Sequence, residues 1–267
     1  MGELTTEELA ALVSGGNAVA LVPLGSTEPH GPHLPLVTDV VLSDEACLRA
    51  ARSLRDRGLP TAVAPSIAYG VTRYARGFRG AIGLREETLI ALLADVGRAL
   101  LDDGFAHVAF VNNHLEPEHV DAIDRAVQEI RDERGPTCVS FPNQLGKRWG
   151  RTLTDEFKQG NCHAGQYETS LVLAAREELV RRELLIDLPP LPISLSAAIR
   201  AADGKDLTFA EIGMERAYTG APAHGSREEG EQSYLRLVEM IVTEVQEHLA
   251  EEGEHTARGE IPVLEKT

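Results

Sequence analysis

The sequence predicts an α/β fold, a single-domain three-layer αβα sandwich around a mostly parallel central sheet. Three observations predict it. Short, nearly continuous apolar runs at residues 18–24, 61–67, 106–111 and 137–141 have the composition of strands buried on both faces. Helix-length amphipathic stretches stand between them, the alternation of βαβ units. The length of 267 residues suits one domain whose core needs no covalent staples.

In chain order, residues 5–12 predict a short helix with Thr5 or Thr6 as its N-cap. The first strand, 18–24 (AVALVPL), runs into a polar loop rich in Gly, Pro and His over 25–38. An amphipathic helix over 43–57 ends at Gly58, and the second strand, 61–67, leads to a glycine-rich loop over 69–83. A helix over 85–102, a strand over 106–111 (AHVAFV), a helix over 117–134 and a strand over 137–141 follow. Residues 168–182 and 228–251 complete the helices, and the Pro- and Gly-punctuated segment 186–222 reads as an irregular excursion. No internal repeat and no low-complexity linker interrupts this order.

Charge narrows the partners. A net charge of −16 repels phosphate backbones and anionic lipid, so neither nucleic acid nor a membrane is expected. The three cysteines, Cys47, Cys138 and Cys162, are widely separated and form no CxxC, which fits a reducing compartment. The N-terminus lacks the apolar core of a signal peptide, and no apolar run nears the ~20 residues of a membrane helix. A cytoplasmic protein acting on a small molecule is the expectation.

Ligands of open α/β sheets bind beyond the carboxyl ends of the strands, so polar clusters just after apolar runs are the places to look. The first, residues 25–39, places Glu28, His30, His33 and Asp39 in one proline-stiffened loop. Carboxylates and imidazoles together suit Zn²⁺, Mn²⁺ or Fe²⁺. The second, Asn112-Asn113-His114-Leu115-Glu116, follows the AHVAFV strand, and His114 and Glu116 point the same way if the segment is extended. Pro117 suits a first helical position, which assigns Glu118 and His119 to capping and dipole complementation. In the third, His163 and Glu168 open a predicted helix whose free N–H groups suit an anion. The three together supply more donors than one ion needs, and a bridging carboxylate such as Asp39 lets two ions share the site.

These residues resemble the creatininase family. The run from Pro23 to Asp39 is similar to the family's Gly-Ser-Thr-Glu-x-His-Gly-Pro-His-Leu-Pro-Leu…Asp signature. Tyr69-Gly70-Val71-Thr72 resembles its Tyr-Gly-x-Ser loop, Phe78-Arg79-Gly80-Ala81 its Phe-Pro-Gly-Thr segment, Asn112-Asn113-His114 its Asn-Gly-His, and His163-Ala164-Gly165 with Glu168 its His-Ala-Gly block. The likeness covers roughly residues 18–245 of a single domain spanning 1–267. It implies two divalent ions (Zn, Mn or Fe) per subunit, Glu28 and His114 on one, His30 on the other, Asp39 bridging, and Glu116 on the second as in creatininase itself. Glu168 is implied as ligand or acid/base group, and His163 as a substrate contact or proton carrier. Thr72, Arg73 and Leu115 are implied near the substrate. A homo-oligomer, hexameric in relatives, is implied as well.

The departures shape the expected activity. Leu115 stands where creatininase has an aromatic residue and Gln159 where it has Trp, which argues against flat recognition of creatinine. Arg73 and Arg76 add positive charge that suits either an anionic substrate or a solvated loop. The expected reaction is hydrolysis of a C–N bond, other than a peptide bond, by a metal-activated water. The rival readings are another hydrolase of the family (a formamide deformylase, a cyclic-ketone hydrolase or a peptide-maturing peptidase) and a metal-binding subunit without catalysis.

Overall fold

The computed structural model describes residues 1–161, 163–203 and 207–257, the last six by their helical backbone alone; Cys162 lies outside them. Four strands form one parallel sheet in the order β2-β1-β3-β4, where β1 is Val19–Leu24, β2 Thr61–Val63, β3 His107–Asn112 and β4 Val139–Ser140. Every residue of β1 and β3 is buried, as the apolar runs require. The longer helices are α1 (Thr6–Val13), α2 (Thr38–Asp56), α3 (Glu86–Asp102), α4 (Pro117–Arg134), α5 (Gln166–Ala175), α6 (Leu195–Ala202) and α7 (Arg227–Ala257). Thr5 caps α1 with a full capping box, its side chain accepting from Glu8 N and Glu8 accepting from Thr5 N.

Strand alternation divides the core into two layers. Val19 and Leu21 of β1, with Ala109 and Val111 of β3, pack under α2, α5 and α7. Ala20 and Val22, with Val108 and Phe110, pack on α3 and α4. The result is the expected three-layer sandwich. A third cluster, Tyr74, Leu195, Phe209, Met214 and Ala217, ties the loop 69–83 to the excursion 186–222. Among the described residues no helix is long and apolar enough to cross a membrane.

Three differences from the sequence reading bear on the site. The second helix starts at Thr38, not near residue 43, so Asp39 lies in its first turn rather than in the loop. Thr38 and Asp39 are buried polar groups, and such residues break the apolar periodicity that marks a helix start. The helix expected over 168–182 ends at Ala175, and Arg181 N then donates to His33 O as the chain turns onto the first loop. The excursion contains α6, whose N-cap Ser194 accepts from Ala197 N.

The strand order locates the site. From β1 the chain crosses through α2 to β2 on one side, then through α3 to β3 on the other. The gap beyond the carboxyl ends of β1 and β3 is therefore the topological switch point. Leu24 pairs with Asn112, so the loops after both strands leave side by side. Gly25 admits the close approach of α2, because a Cβ there would stand 2.7 Å from Val40 N and 2.9 Å from the Asp39 side chain.

Two stability predictions follow from buried contacts away from this gap. Gly230 of α7 lies against the α5 backbone, and a Cβ would stand 1.9 Å from Ser170 O. Gly230→Ala is expected to lower the unfolding free energy by about 2 kcal/mol, overpacking outweighing the ~1 kcal/mol helix preference of Ala, as read by urea denaturation. His107 is buried, donates Nδ1–H to Thr137 O at 2.7 Å and accepts the Ser140 hydroxyl at Nε2 at 2.7 Å. Burial first, then His248 and Arg131, push its pKa down to about 3. The unfolded chain binds this proton near pH 6.5 and the fold does not, so His107 contributes stability above about pH 6.5 that is lost progressively toward about pH 3. The stability advantage of the wild type over His107→Gln is expected to shrink between pH 7 and pH 5 in parallel denaturation curves.

Candidate metal centre

The loops after β1 and β3, the first turn of α2 and the start of α5 bring five donors together at the switch point. Asp39 is at the centre. Its Oδ1 lies 3.0 Å from His30 Nε2 and its Oδ2 3.1 Å from His114 Nδ1. His114 Nδ1 is also 3.1 Å from Glu28 Oε1, and His30 Nε2 is 3.6 Å from Glu168 Oε2. Two triads result, Glu28–Asp39–His114 and His30–Asp39–Glu168, and they share Asp39; a third, Glu28–His30–His163, overlaps both. All these side chains are buried, with residue exposures of 1–5%.

Each histidine is held by its far nitrogen. His30 Nδ1–H donates to Glu28 O at 3.1 Å, His114 Nε2–H to Val71 O at 2.6 Å and His163 Nε2–H to Pro29 O at 3.0 Å. That fixes one tautomer and turns the other nitrogen, with its lone pair, toward the carboxylates. An imidazole anchored this way on a backbone carbonyl is the usual environment of a metal-ligating histidine. His30 Nε2 has no hydrogen bond although two carboxylate oxygens lie within 3.6 Å, so its direction suits an ion between them rather than a proton bridge. The mixed N/O donor set suits Zn²⁺, Mn²⁺ or Fe²⁺.

Electrostatics agree with that fit. Burial opposes charge on His30 and His114, yet the carboxylates of Asp39 and Glu28, with Glu168 beside His30, raise both, His30 to about 10. Burial also raises Glu168, while it lowers His163 to about 4, helped by the neighbouring His30. Closely packed buried anions demand compensating positive charge, which protons on two histidines or divalent ions can supply.

Other groups position these donors. Thr72 Oγ1 donates to Glu28 Oε2 at 3.0 Å and contacts Ser26 Oγ at 2.8 Å. Asn112 Oδ1 accepts from His114 N, and its Nδ2 donates to His114 O at 2.6 Å. His119, expected to cap α4, is buried instead, accepting from Val71 N and donating to Asn112 Oδ1. Glu168 Oε2 accepts from Ala164 N at 2.6 Å, with Ala164 in the left-handed region at φ 51°. His33, next to these residues in sequence, bonds Thr169 and stands outside the triads.

The remaining sequence candidates divide. Glu116 faces the same cavity, but both its oxygens accept from Arg73 N, at 2.7 and 2.9 Å, and one also from Tyr74 N, so it stands outside the three ligand groups. Burial pushes its pKa up to about 7. The Arg73 guanidinium pairs with Glu86 and Glu118 and does not line the cavity. Leu115 and His163 do line it, whereas Thr72 lies behind Glu28. The cavity holds about 230 Å³, and its outer wall is one that sequence reasoning missed: Tyr74, Leu145, Leu195, Ile199, Arg200 and Phe209. The single available signal was Ser194 as an N-cap before the apolar-rich LSAAIRAA.

Comparison with known proteins gives consistent matches. The creatininase family model, described as creatinine amidohydrolase, matches residues 2–245. A mycofactocin precursor peptide peptidase of Mycobacterium tuberculosis is 31% identical over 255 residues, 92% of this chain and 91% of that protein. A creatinine amidohydrolase of Pseudomonas putida is 28% identical over 207 residues, 71% of this chain and 76% of its own. A solved mutant creatininase of Zn-Zn type superposes with a TM-score of 0.72 at 26% identity, over 92% of this chain and 96% of that one.

Removing the Thr72 hydroxyl tests whether the groups behind the cluster act on it. Thr72→Val leaves Glu28 Oε2 without its donor and is expected to weaken divalent-metal affinity about tenfold. Competition with a chromophoric chelator measures this, and an unchanged affinity would assign Thr72 to packing alone.

Proposed function

The chain belongs to the creatininase family, a family of hydrolases, and from that premise we propose that it is a divalent-metal-dependent hydrolase that opens a C–N bond of a small molecule. One observation carries the reading: two carboxylate–imidazole triads share Asp39, with each imidazole anchored through its far nitrogen. In this reading Glu28, Asp39 and His114 hold one ion and His30, Asp39 and Glu168 the other. Zinc is a natural candidate, since the superposed mutant creatininase is of Zn-Zn type. A divalent ion bound there lowers the pKa of water toward neutrality and polarises a carbonyl oxygen.

The protein's own groups handle the rest. His163 is neutral at pH 7, since its pKa is pushed down to about 4, and its Nδ1 carries a lone pair on the cavity side because Nε2–H is committed to Pro29 O. It is placed to take the proton of the attacking water at Nδ1 and return it to the leaving nitrogen. In the balanced reaction a C–O bond forms, the C–N bond breaks and the amine leaves protonated. Leu115 and Phe209 wall the cavity with apolar surface, which excludes bulk water and strengthens the electrostatics inside.

The peptidase among the relatives keeps short peptides on the substrate panel beside cyclic amides and formamides. Metal content by elemental analysis, followed by turnover on that panel, tests the reading. The wild type is expected to hold about two ions per chain and to hydrolyse at least one class. Asp39→Asn is expected to hold fewer than one and to lose more than about 100-fold in kcat/KM. Full metal content and full activity in Asp39→Asn would overturn the shared-ligand assignment. Bound metal with no turnover on any class would favour a binding subunit.

A further inference from the structure

The cavity runs from the buried carboxylates of the cluster to an outer wall formed largely by α6. Leu195, Ser196, Ile199 and Arg200 line it from that helix, and their spacing places them on neighbouring strips of one helical surface. Leu195 is buried and Arg200 is exposed, so α6 carries the lining from the apolar interior to the opening. Leu115 and Phe209 line the cavity as well.

Arg200 is set apart by its place in the lining. The chain has 42 acidic and 26 basic residues, and a number of its arginines pair with carboxylates. Arg73, Arg98, Arg148 and Arg227 all do, several with two. Among the described residues Arg200 has no acidic partner, and it is the one Lys or Arg lining the cavity. Its planar fork of donors matches a carboxylate. The carboxylates of the lining, Glu28, Asp39, Glu116 and Glu168, lie at the inner end with His114 and His163. Among the described residues the cavity thus has an anionic, metal-fitting end, an apolar middle and one Lys or Arg at its opening.

We propose that Arg200 is a specificity-determining residue that binds a carboxylate on the far end of the substrate's apolar arm, so that the substrate is an amide carrying an apolar chain that ends in a carboxylate. This rests on the reading that the cluster is the reacting centre. The charge pattern orients such a molecule with its uncharged amide inward and its anion outward. Among the described residues the wall offers one guanidinium with one hydroxyl, Ser196, beside it on the helix, which matches a monoanion, whereas a phosphate dianion calls for more donors.

Zinc-loaded full-length protein, titrated calorimetrically with adipamate (the monoamide of hexanedioic acid) and with hexanamide, its uncharged counterpart, tests this. The wild type is expected to bind adipamate at least about tenfold tighter than hexanamide, with that ratio falling to near one in Arg200→Gln and staying intermediate in Arg200→Lys. Thermal melts confirm that the exposed substitutions leave the fold intact. A wild type with no preference for adipamate, including one that binds neither probe, overturns the proposal, as does a preference that survives Arg200→Gln. Turnover separates this from the hydrolase reading. An Arg200-dependent preference without hydrolysis of any amide sinks that reading and leaves the anion site standing. Equal kcat/KM for both probes, unaltered in Arg200→Gln, does the reverse.

Discussion

Much of this structure is organised around one buried carboxylate. Asp39 touches His30 through one oxygen and His114 through the other, and three separate segments meet at that point. Its position demands that α2 begin earlier than its apolar face does, that Gly25 carry no side chain, and that the loops leaving β1 and β3 run side by side. The parallel register supplies the last of these, pairing Leu24 with Asn112 at the point where the chain reverses direction across the sheet. The fold thus brings to one place donors that lie as far apart in sequence as Glu28 and Glu168.

The layers around that point are uneven in kind. The inner groups are held by backbone: Pro29, Val71 and Glu28 carbonyls take the far nitrogens of three histidines, and Ala164 N binds Glu168. Backbone anchors do not rotate, so the donors are preorganised by the course of the chain rather than by side-chain packing. The outer wall is different. It is largely apolar apart from Arg200, comes mainly from the excursion 186–222 and the loop 69–83, and docks through Tyr74, Phe209 and Met214. Substrate choice can therefore vary in that wall while the inner cluster keeps its geometry.

This division explains what the sequence disclosed. The sheet was legible because β1 and β3 are buried on both faces and read as unbroken apolar runs. Glu28, His30, Asp39 and His114 were nameable because they follow those runs directly. The placement of Asp39 inside a helix was not, since a buried polar first turn hides from hydrophobic periodicity. The engagement of Glu116 by the backbone of Arg73 and Tyr74 joins segments more than 40 residues apart, and no local pattern encodes it. The cationic wall residue was sought in Arg73, whose charge is taken by Glu86 and Glu118; Arg200 sits on a helix inside a segment whose prolines and glycines suggested none.

Charge balance links the cluster to its surroundings. Glu28, Asp39 and Glu168 are each no more than 3% exposed, and like charges this close cannot all persist without cations. Protons on His30 and His114 are one answer, and the raised affinity of both rings for protons is the expression of that demand. Divalent ions are the other, and they require those same nitrogens to be free of protons. Occupancy by metal and by protons is therefore mutually exclusive at each imidazole, so loading releases protons and favours neutral over acidic solution. His163 escapes the competition because its burial outweighs its anionic neighbours. It stays neutral under either form of compensation, a property that suits the one histidine assigned to carry a proton rather than to hold charge.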